Sequence, residues 1–480
     1  MVKKHTMQRP SWPTLLWDGD ACRQPLERRP KKTIRMSSAD QVLWNMVNDQ
    51  DLFCIWALVT LTEPLQDVLI EKTLKYLLQA IPILNARPVT NWFSGKWQFL
   101  AQEKVSDLID RVKTNSVAET QEQLQKIYNT PIKATDGAMI RLHSIDGPES
   151  HHFVIQVHHL VMDGEGVKRL CAQFAEIYRG LFYDPSWEPD QEPYHYRSHA
   201  QLLAGISSLR LVTAVPAYLL NLLVKAGFRQ GHKEKGNYQL LSKEERNQEI
   251  PSSPYFARID LEEEVIQRAQ DVSRRRKTTL HALLMASFSL AIMTWNQARG
   301  DKRNWLRFYH TANLRRWWAE PKGTYANFSS ILEHEELFSN LQSPFHALAA
   351  SKKQLKWVKQ GIGIDVFLLS MLTHFVPYVF VQRYALHLKE KLLAFVPHNQ
   401  AMTNIGIIPQ EAGNFGKTKA LAYSLLAPTV PGGCQLFTIS TYNKVMTLYL
   451  GCSEEGLSKD EAQDFLRLWK EKILEVISAG

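Results

Sequence analysis

Residues 153–166 read FVIQVHHLVMDGEG, and this segment decides the fold because it joins a strand, a turn and a helix. Side chains on a β-strand alternate between its two faces. One apolar face is therefore formed by every second residue, namely Phe153, Ile155 and Val157. His159 continues this face and His158 falls on the opposite one. We therefore predict that the His159 side chain points toward the interior of the protein.

The end of this segment predicts the start of a helix. Asp163 is a good N-cap because its carboxylate accepts hydrogen bonds from the first N–H groups of a helix. Residues 165–179 carry apolar side chains at helical spacing, so we predict a helix that ends at Gly180. A strand, a turn and a capping aspartate explain this pattern without any chemistry. A metal site is disfavoured, because histidines on opposite faces cannot hold one ion and a catalytic zinc usually needs three protein ligands.

Strand and helix patterns alternate along both halves of the 480-residue chain. The first half offers a capped helix at 36–49 and a buried strand at 53–62. The second half opens with a strand at 255–261 and an apolar helix at 278–296, and it ends with a hairpin around Asn443 and a capped helix. This alternation predicts an α/β protein, and the length predicts two large halves rather than one core.

We divide the chain into four parts on composition. Residues 1–33 form a loosely ordered basic arm, and residues 34–203 form a first subdomain that carries the histidines. An apolar segment and a charged connection occupy residues 204–253, and a second subdomain fills residues 254–480.

Charge and cysteine content narrow the classes of function. The net charge of +9 favours anionic partners, but the basic residues are spread out and match no nucleic-acid-binding module. We therefore expect no nucleic acid partner. The five cysteines are widely spaced without a C-x-x-C pair, which argues against a disulfide framework or structural zinc. The N-terminus lacks the apolar core of a secretion signal, so we predict a cytoplasmic protein.

Two apolar stretches, residues 211–224 and 366–381, allow two interpretations. Each is shorter than the ~20 residues of a membrane-spanning helix. They form either buried core, including the wall of a substrate tunnel, or interfacial segments that dock on a membrane. The second alternative predicts a peripheral contact with the inner membrane face.

HHLVMDG, at residues 158–164, resembles the HHxxxDG signature of the CoA-dependent acyltransferase superfamily, which includes condensation domains, chloramphenicol acetyltransferase and wax ester synthases. Further resemblances cover most of residues 34–478, including MSSADQVLWNMVND, NLRRWWAEPKGTYANFSS (313–330) and TNIGII (403–408). The resemblance implies two chloramphenicol-acetyltransferase-like subdomains, each a mixed sheet flanked by helices, with a tunnel between them.

The same resemblance implies a role for each matching residue. His159 matches the family's general base, which takes a proton from the acceptor as that group attacks a thioester carbonyl. Asp163 matches a structural aspartate that pairs with an arginine, here Arg315. Gly164 is expected to leave room for the acyl chain or the cofactor arm, and His158 is expected to be structural.

Thr403 and Asn404 remain open between two roles, stabilising a developing oxyanion or making hydrogen bonds at a strand end. The resemblance implies no permanently bound cofactor. The acyl group would arrive as a thioester of CoA or of an acyl carrier protein. We favour acyl transfer to the hydroxyl of an apolar or lipid-like alcohol. The alternatives are amide formation with a carrier-bound amine, and a catalytically silent relative that only binds acyl thioesters.

Overall fold

The computed structural model describes residues 33–47, 53–100, 104–130, 132–189, 240–242, 254–317, 325–359, 377–380, 382–383, 400–428, 435–453 and 456–480. The predicted basic arm, except for its last residue, lies outside the described residues. So do the apolar stretch at 211–224, most of the connection at 204–253, and residues 366–376 and 381 of the second apolar stretch.

The described residues form strands and helices that are numbered in chain order. The strands are β1 (Thr33–Arg35), β2 (Cys54–Leu61), β3 (Ala86–Thr90), β4 (Gly95–Phe99), β5 (Ile109–Lys113), β6 (Ile140–Asp146), β7 (His151–His158), β8 (Pro254–Leu261), β9 (Trp305–Asn313), β10 (Ser329–Leu337), β11 (Gln400–Ile407), β12 (Asn414–Phe415), β13 (Thr418–Leu426), β14 (Gln435–Tyr442) and β15 (Val445–Ser453). The helices are α1 (Ser38–Val47), α2 (Asp67–Ala80), α3 (Val117–Tyr128), α4 (Gly164–Tyr183), α5 (Glu263–Arg275), α6 (Leu280–Gln297), α7 (Pro344–Lys359) and α8 (Lys459–Ser478).

The first large sheet has the strand order β12-β13-β2-β7-β6-β5. It is mixed, because β5 and β6 pair in parallel while the other neighbours are antiparallel. Helices α2 and α4 pack together over one face, and apolar residues of α3 cover the other. Strand β7 lies inside this sheet and is buried on both faces.

The second large sheet has the order β10-β9-β11-β14-β15-β8 and is also mixed, with β11 parallel to both of its neighbours. Helix α6 packs against α7 and α8. An aromatic cluster joins these helices to the sheet through Phe288, Phe437, Phe465 and Trp469. The predicted fold class, two mixed sheets flanked by helices, is confirmed.

The two sheets exchange chain. Strands β12 and β13 follow β11 of the second sheet in the sequence, yet they extend the first sheet by pairing β13 with β2. Phe415 and Leu425 accordingly belong to the apolar core of the first half. The sheets therefore do not divide the chain at a single point.

The expectation that a helix ends at Gly180 is wrong, since α4 continues to Tyr183. The glycine serves packing instead of helix termination. A Cβ atom at Gly180 would lie only 2.5 Å from the Trp187 ring, so only a glycine lets the indole approach the helix this closely.

A small antiparallel sheet with the order β1-β4-β3 was not predicted from the sequence. It lies beside α1, where the Trp97 indole N–H donates to Asp40 at 3.1 Å. Asp40 and Ser37 also form the reciprocal hydrogen bonds of a capping box at the start of α1, as the sequence indicates. Within the described residues no single helix has the length and apolar character to cross a membrane; α5 and α6 meet that test only as a pair bent by 105°.

Candidate active site

The two histidines lie at the end of β7, where the first sheet meets residues that follow β9. His158 is the last residue of the strand, and His159 begins the turn, with its N–H donating to Phe53 O at 2.8 Å. His158 is 1% exposed, whereas His159 is half-buried. Strand parity predicts the inner position for His159, but both faces of β7 are covered. Burial is therefore complete for the residue in the strand, and it is partial for the residue in the turn.

Asn327 fixes the orientation of the His159 ring. Its side-chain NH2 group donates to the carbonyl oxygens of His159 and Leu160, each at 2.9 Å. The amide oxygen of Asn327 then faces His159 Nδ1 at 3.0 Å. Because an amide oxygen only accepts hydrogen bonds, Nδ1 must carry the proton in the neutral ring. The lone pair of the imidazole therefore lies on Nε2.

The His159 ring is also held from one side and kept neutral. The Phe53 ring stacks on it with centroids 4.8 Å apart and an interplanar angle of 16°. Burial lowers the pKa of His159 below its ordinary value of 6.5, against smaller opposing effects that include the Asp163 carboxylate and Asn327. A neutral imidazole with a free Nε2 lone pair is the form that accepts a proton.

Asp163, at the other end of the turn, is buried and accepts hydrogen bonds through both of its carboxylate oxygens. One carboxylate oxygen accepts the N–H of Gly166 at 2.9 Å, which caps α4. The other oxygen accepts Arg315 Nη1 at 2.9 Å, Phe328 N at 2.8 Å and Ser329 Oγ at 2.9 Å. Asp163 is 1% exposed and Arg315 is 3% exposed, so this ion pair is shielded from water.

The contacts of Asp163 join the two halves of the protein. Asp163 follows the first sheet, whereas Arg315 follows β9 and Ser329 begins β10 of the second sheet. Burial by itself raises the pKa of Asp163, but Arg315 and the two backbone N–H donors outweigh it, so the pKa lies below 3.8. The carboxylate therefore stays charged, and its contacts form a structural tie between the two halves.

Two glycines, Gly164 and Gly166, follow this aspartate in the chain, and they lie close to different side chains. A Cβ atom at Gly164 would meet only the Ile405 side chain of β11, at 3.4 Å. Gly164 thus lies where the start of α4 faces the second sheet. A Cβ atom at Gly166 would lie 2.8 Å from Met162 Cβ, so Gly166 is required by the turn itself. Sequence reasoning gave Gly166 no role.

His158 has a structural environment. Its Nδ1 accepts the N–H of Leu160 at 3.1 Å, and its backbone N–H donates to Met139 O at 2.9 Å. Burial, followed by the proximity of His159, lowers the pKa of His158 to about 3. His158 therefore stays neutral at physiological pH and stabilises the turn from which His159 projects.

Thr403 and Asn404 are engaged in hydrogen bonds of their own strand. Thr403 Oγ1 lies 2.9 Å from Thr311 Oγ1 of β9. The Asn404 side chain accepts the N–H of Gly406 at 2.9 Å, next to a bulge where Gly406 has a φ of 77°. The Asn404 contact is thus a hydrogen bond near the end of β11. The amide NH2 of Asn404 and the Thr403 hydroxyl remain the groups that could donate to a substrate oxygen.

Within the ranges that the structure describes, no cluster of three histidine, cysteine or acidic side chains is arranged to hold a metal ion.

The family model "Condensation domain" matches residues 38–300, which is more than half of the chain. No curated protein sequence matches the chain.

Solved structures with the same fold include three of differing activity. The epimerization domain from the third module of tyrocidine synthetase B has a TM-score of 0.66 at 12% identity, covering 94% of this chain and 99% of that one. Trichothecene 15-O-acetyltransferase from Fusarium sporotrichioides has a TM-score of 0.66 at 13% identity, covering 92% and 95%. The starter condensation domain of rhizomide synthetase, in complex with C8-CoA and Leu-SNAC, has a TM-score of 0.61 at 10% identity, covering 93% and 94%. At these identities the likeness shows the fold alone.

Proposed function

The chain belongs to the condensation-domain family, and from this premise we propose that it transfers an acyl group from a thioester to a nucleophile, with His159 as the general base. The observation that carries the proposal is the contact between His159 Nδ1 and the Asn327 amide oxygen at 3.0 Å. This contact leaves Nε2 unprotonated and fixes the plane of the ring. In this tautomer the ring can accept a proton at Nε2 directly, without first passing its own proton to another group.

The proposed reaction proceeds by direct attack. His159 Nε2 accepts the proton of an acceptor O–H or N–H as the acceptor atom bonds to the thioester carbonyl carbon. The tetrahedral intermediate then collapses, the C–S bond breaks, and the imidazolium returns its proton to the thiolate sulfur. The low pKa of His159 suits both steps, because the ring is neutral at the start and a stronger acid once it is protonated. No acyl-enzyme is formed.

Thr403 and Asn404 are proposed to face the oxyanion, with the Thr403 hydroxyl or the Asn404 NH2 group as donor. The contact between Gly164 and Ile405 of β11 supports this placement, because it brings their strand against the start of α4. Lys168 of α4 adds a second contact by donating to Ile405 O at 3.1 Å. We propose that a tunnel between the two sheets brings the substrates together near this contact.

The donor is proposed to be acyl-CoA or an acyl carrier protein thioester, used as a co-substrate without a permanently bound cofactor. The acceptor is proposed to be the hydroxyl of an apolar alcohol. The same fold occurs in trichothecene 15-O-acetyltransferase, whose name specifies transfer to oxygen, and this supports an alcohol acceptor.

Amide formation is the second candidate, because the matching family model is that of condensation domains. The same base would then take the proton from a carrier-bound amine. The two candidates share the role of His159 and differ in the acceptor alone.

A product screen tests the proposal and separates the candidates. The purified protein is incubated with acyl-CoA thioesters and acyl-SNAC thioesters, together with apolar alcohols or with amines, and products are detected by mass spectrometry. Ester products that disappear in His159→Ala support acyl transfer to hydroxyls, and amide products that disappear in this variant support condensation. His346→Ala, which removes an exposed histidine on α7, is the matched control and should retain turnover. Equal behaviour of the wild type and His159→Ala across the panel would indicate a silent relative and end the proposal.

A further inference from the structure

The hairpin between β3 and β4 exposes two large aromatic side chains at its tip. Trp92 is 71% exposed and Phe93 is 77% exposed. The turn is ordered by Asn91, whose side-chain oxygen accepts the N–H groups of Phe93 at 3.0 Å and Ser94 at 2.8 Å. A tip built in this way holds both aromatic residues away from the core, although burying aromatic surface normally stabilises a protein.

A third exposed aromatic residue lies against this tip. Val379 N donates to Trp92 O at 3.2 Å, and the next residue, Phe380, is 55% exposed. The segment is anchored by Tyr378, which is 3% exposed and donates its hydroxyl to Asn45 at 2.9 Å. Trp92, Phe93 and Phe380 together form what we call the aromatic tip.

The solvent face of the small sheet beside the aromatic tip is basic. Register pairs Arg35 with Lys96, and Arg87 with Gln98, so these four side chains share one face, on which the three cations are exposed and Gln98 is half-buried. Strands β1, β3 and β4 and the turn at residues 91–94 contain no Asp or Glu. Exposed aromatic residues beside exposed cations match the interface of an anionic bilayer.

We propose that the aromatic tip and this basic face dock the protein on an anionic membrane surface. The aromatic rings insert at the level of the headgroups, and the exposed cations Arg87 and Lys96 bind anionic lipid headgroups. Binding of this kind grows with the apolar area buried and with attraction to anionic lipids, and this surface supplies both. The net charge of +9 adds attraction at long range.

The docking surface is connected to the strand that carries the histidines. Leu84, just before β3, accepts the N–H of Met139 at 2.9 Å, and Met139 O in turn accepts the N–H of His158 at 2.9 Å. These two hydrogen bonds connect the chain that enters the β3–β4 hairpin with the end of β7. Supply of a lipid-like acceptor from that membrane rests on the proposed function, whereas membrane binding does not.

Vesicle flotation tests the proposal with the full chain. The protein is mixed with vesicles of phosphatidylcholine alone or of phosphatidylcholine and phosphatidylglycerol. We expect binding to the anionic vesicles only, and a loss of about tenfold or more in partitioning for the double variant Trp92→Ser with Phe93→Ser, because two inserted rings are removed. The matched control, Leu421→Ser with Ile331→Ser, removes side chains that are 60% and 64% exposed elsewhere and should bind like the wild type.

A second pair of variants separates the charge contribution. Arg87→Gln with Lys96→Gln should weaken binding to anionic vesicles, and added salt should weaken wild-type binding in the same direction because it screens these charges. Arg275→Gln with Lys353→Gln removes two exposed cations from α5 and α7, so it matches the charge change away from the face.

Three outcomes would overturn the proposal. The first is absence of binding to anionic vesicles, and the second is equal loss of binding in test and control variants. The third combines two results: vesicles do not bind, and the tip variant loses turnover only with a carrier-loaded donor. That combination would assign the face to a carrier protein. Acyl-SNAC turnover measured on the same tip variant should equal that of the wild type, so failure of membrane docking and failure of the proposed function are read separately.

Discussion

The turn that follows β7 is built in opposite ways at its two ends. At Asp163 the two carboxylate oxygens accept four hydrogen bonds from protein groups, and the residue is 1% exposed. At His159 the residue is only half-buried, and Asn327 holds Nδ1 so that the lone pair for a proton lies on Nε2. The first end resembles a structural joint, and the second leaves one group available for a substrate. The difference separates residues that hold the site together from the residue that would do its chemistry.

The largest expected effect is on activity at the free end of the turn. His159→Ala should lower kcat by about 10²–10⁴-fold, since that is the usual contribution of a general base. The free energy of unfolding should change little, because the residue is only half-buried. Steady-state kinetics and urea denaturation measure the two effects. A variant that unfolds readily but keeps its turnover per folded molecule would reverse the comparison.

The next largest effect is on stability at the Asp163 end. Arg315→Ala leaves the Asp163 carboxylate buried without its cation, which should cost roughly 3–5 kcal/mol of unfolding free energy. Arg467→Ala is the matched control, because its ion pair with Asp464 is 2.7 Å long but about 60% exposed on both sides. The control should cost less than about 1 kcal/mol. Equal losses in urea denaturation would show that the buried pair is not a structural tie.

Acid should act on His158, which belongs to the structural part of the turn. In the unfolded chain His158 takes up a proton below about pH 6.5, whereas its folded pKa is about 3. The folded state therefore loses about 1.4 kcal/mol per pH unit from this residue as the pH falls from 6.5 toward 3. His158→Asn keeps an acceptor for the Leu160 N–H but removes the titrating group, so its stability should fall less steeply. Identical slopes for both proteins would contradict the assignment.

The smallest effect concerns the residue that orients the base. Asn327→Ala should lower kcat on the order of tenfold with little change in KM, because the ring then samples the other tautomer and other orientations. The low-pH limb of kcat/KM should stay below pH 6.5 in the wild type, since the base is active only when deprotonated and its pKa is lowered by burial. A purely structural role for Asn327 would lower stability and leave kcat per folded molecule unchanged.

Local patterns in the sequence predicted the elements around the site. Asp163 as the cap of α4, the capping boxes of α1 and α8, and the hairpin at Asn443 each depend on a few adjacent residues. Such features are set by short-range hydrogen bonds and turn conformations, which a single sequence reveals.

Other features depend on partners far away in the sequence. The pairing of β13 with β2 is decided by contacts across more than half of the chain, which no local periodicity contains. Asn327 lies 168 residues from His159, and only the resemblance of its segment to a family motif hinted at it. Gly180 was predicted to end the helix because glycine is common at helix ends. The glycine is instead needed for the close approach of the Trp187 ring, and the local sequence does not reveal this packing contact.

The protonation of the His159 ring tests the central claim most directly. Nitrogen-15 NMR of the histidine side chains at neutral pH, assigned with His159→Gln, distinguishes a protonated from an unprotonated ring nitrogen. We expect that His159 carries its proton on Nδ1 and has an unprotonated Nε2, and that Asn327→Ala abolishes this preference. A spectrum with the proton on Nε2, or with both nitrogens protonated at neutral pH, would contradict it.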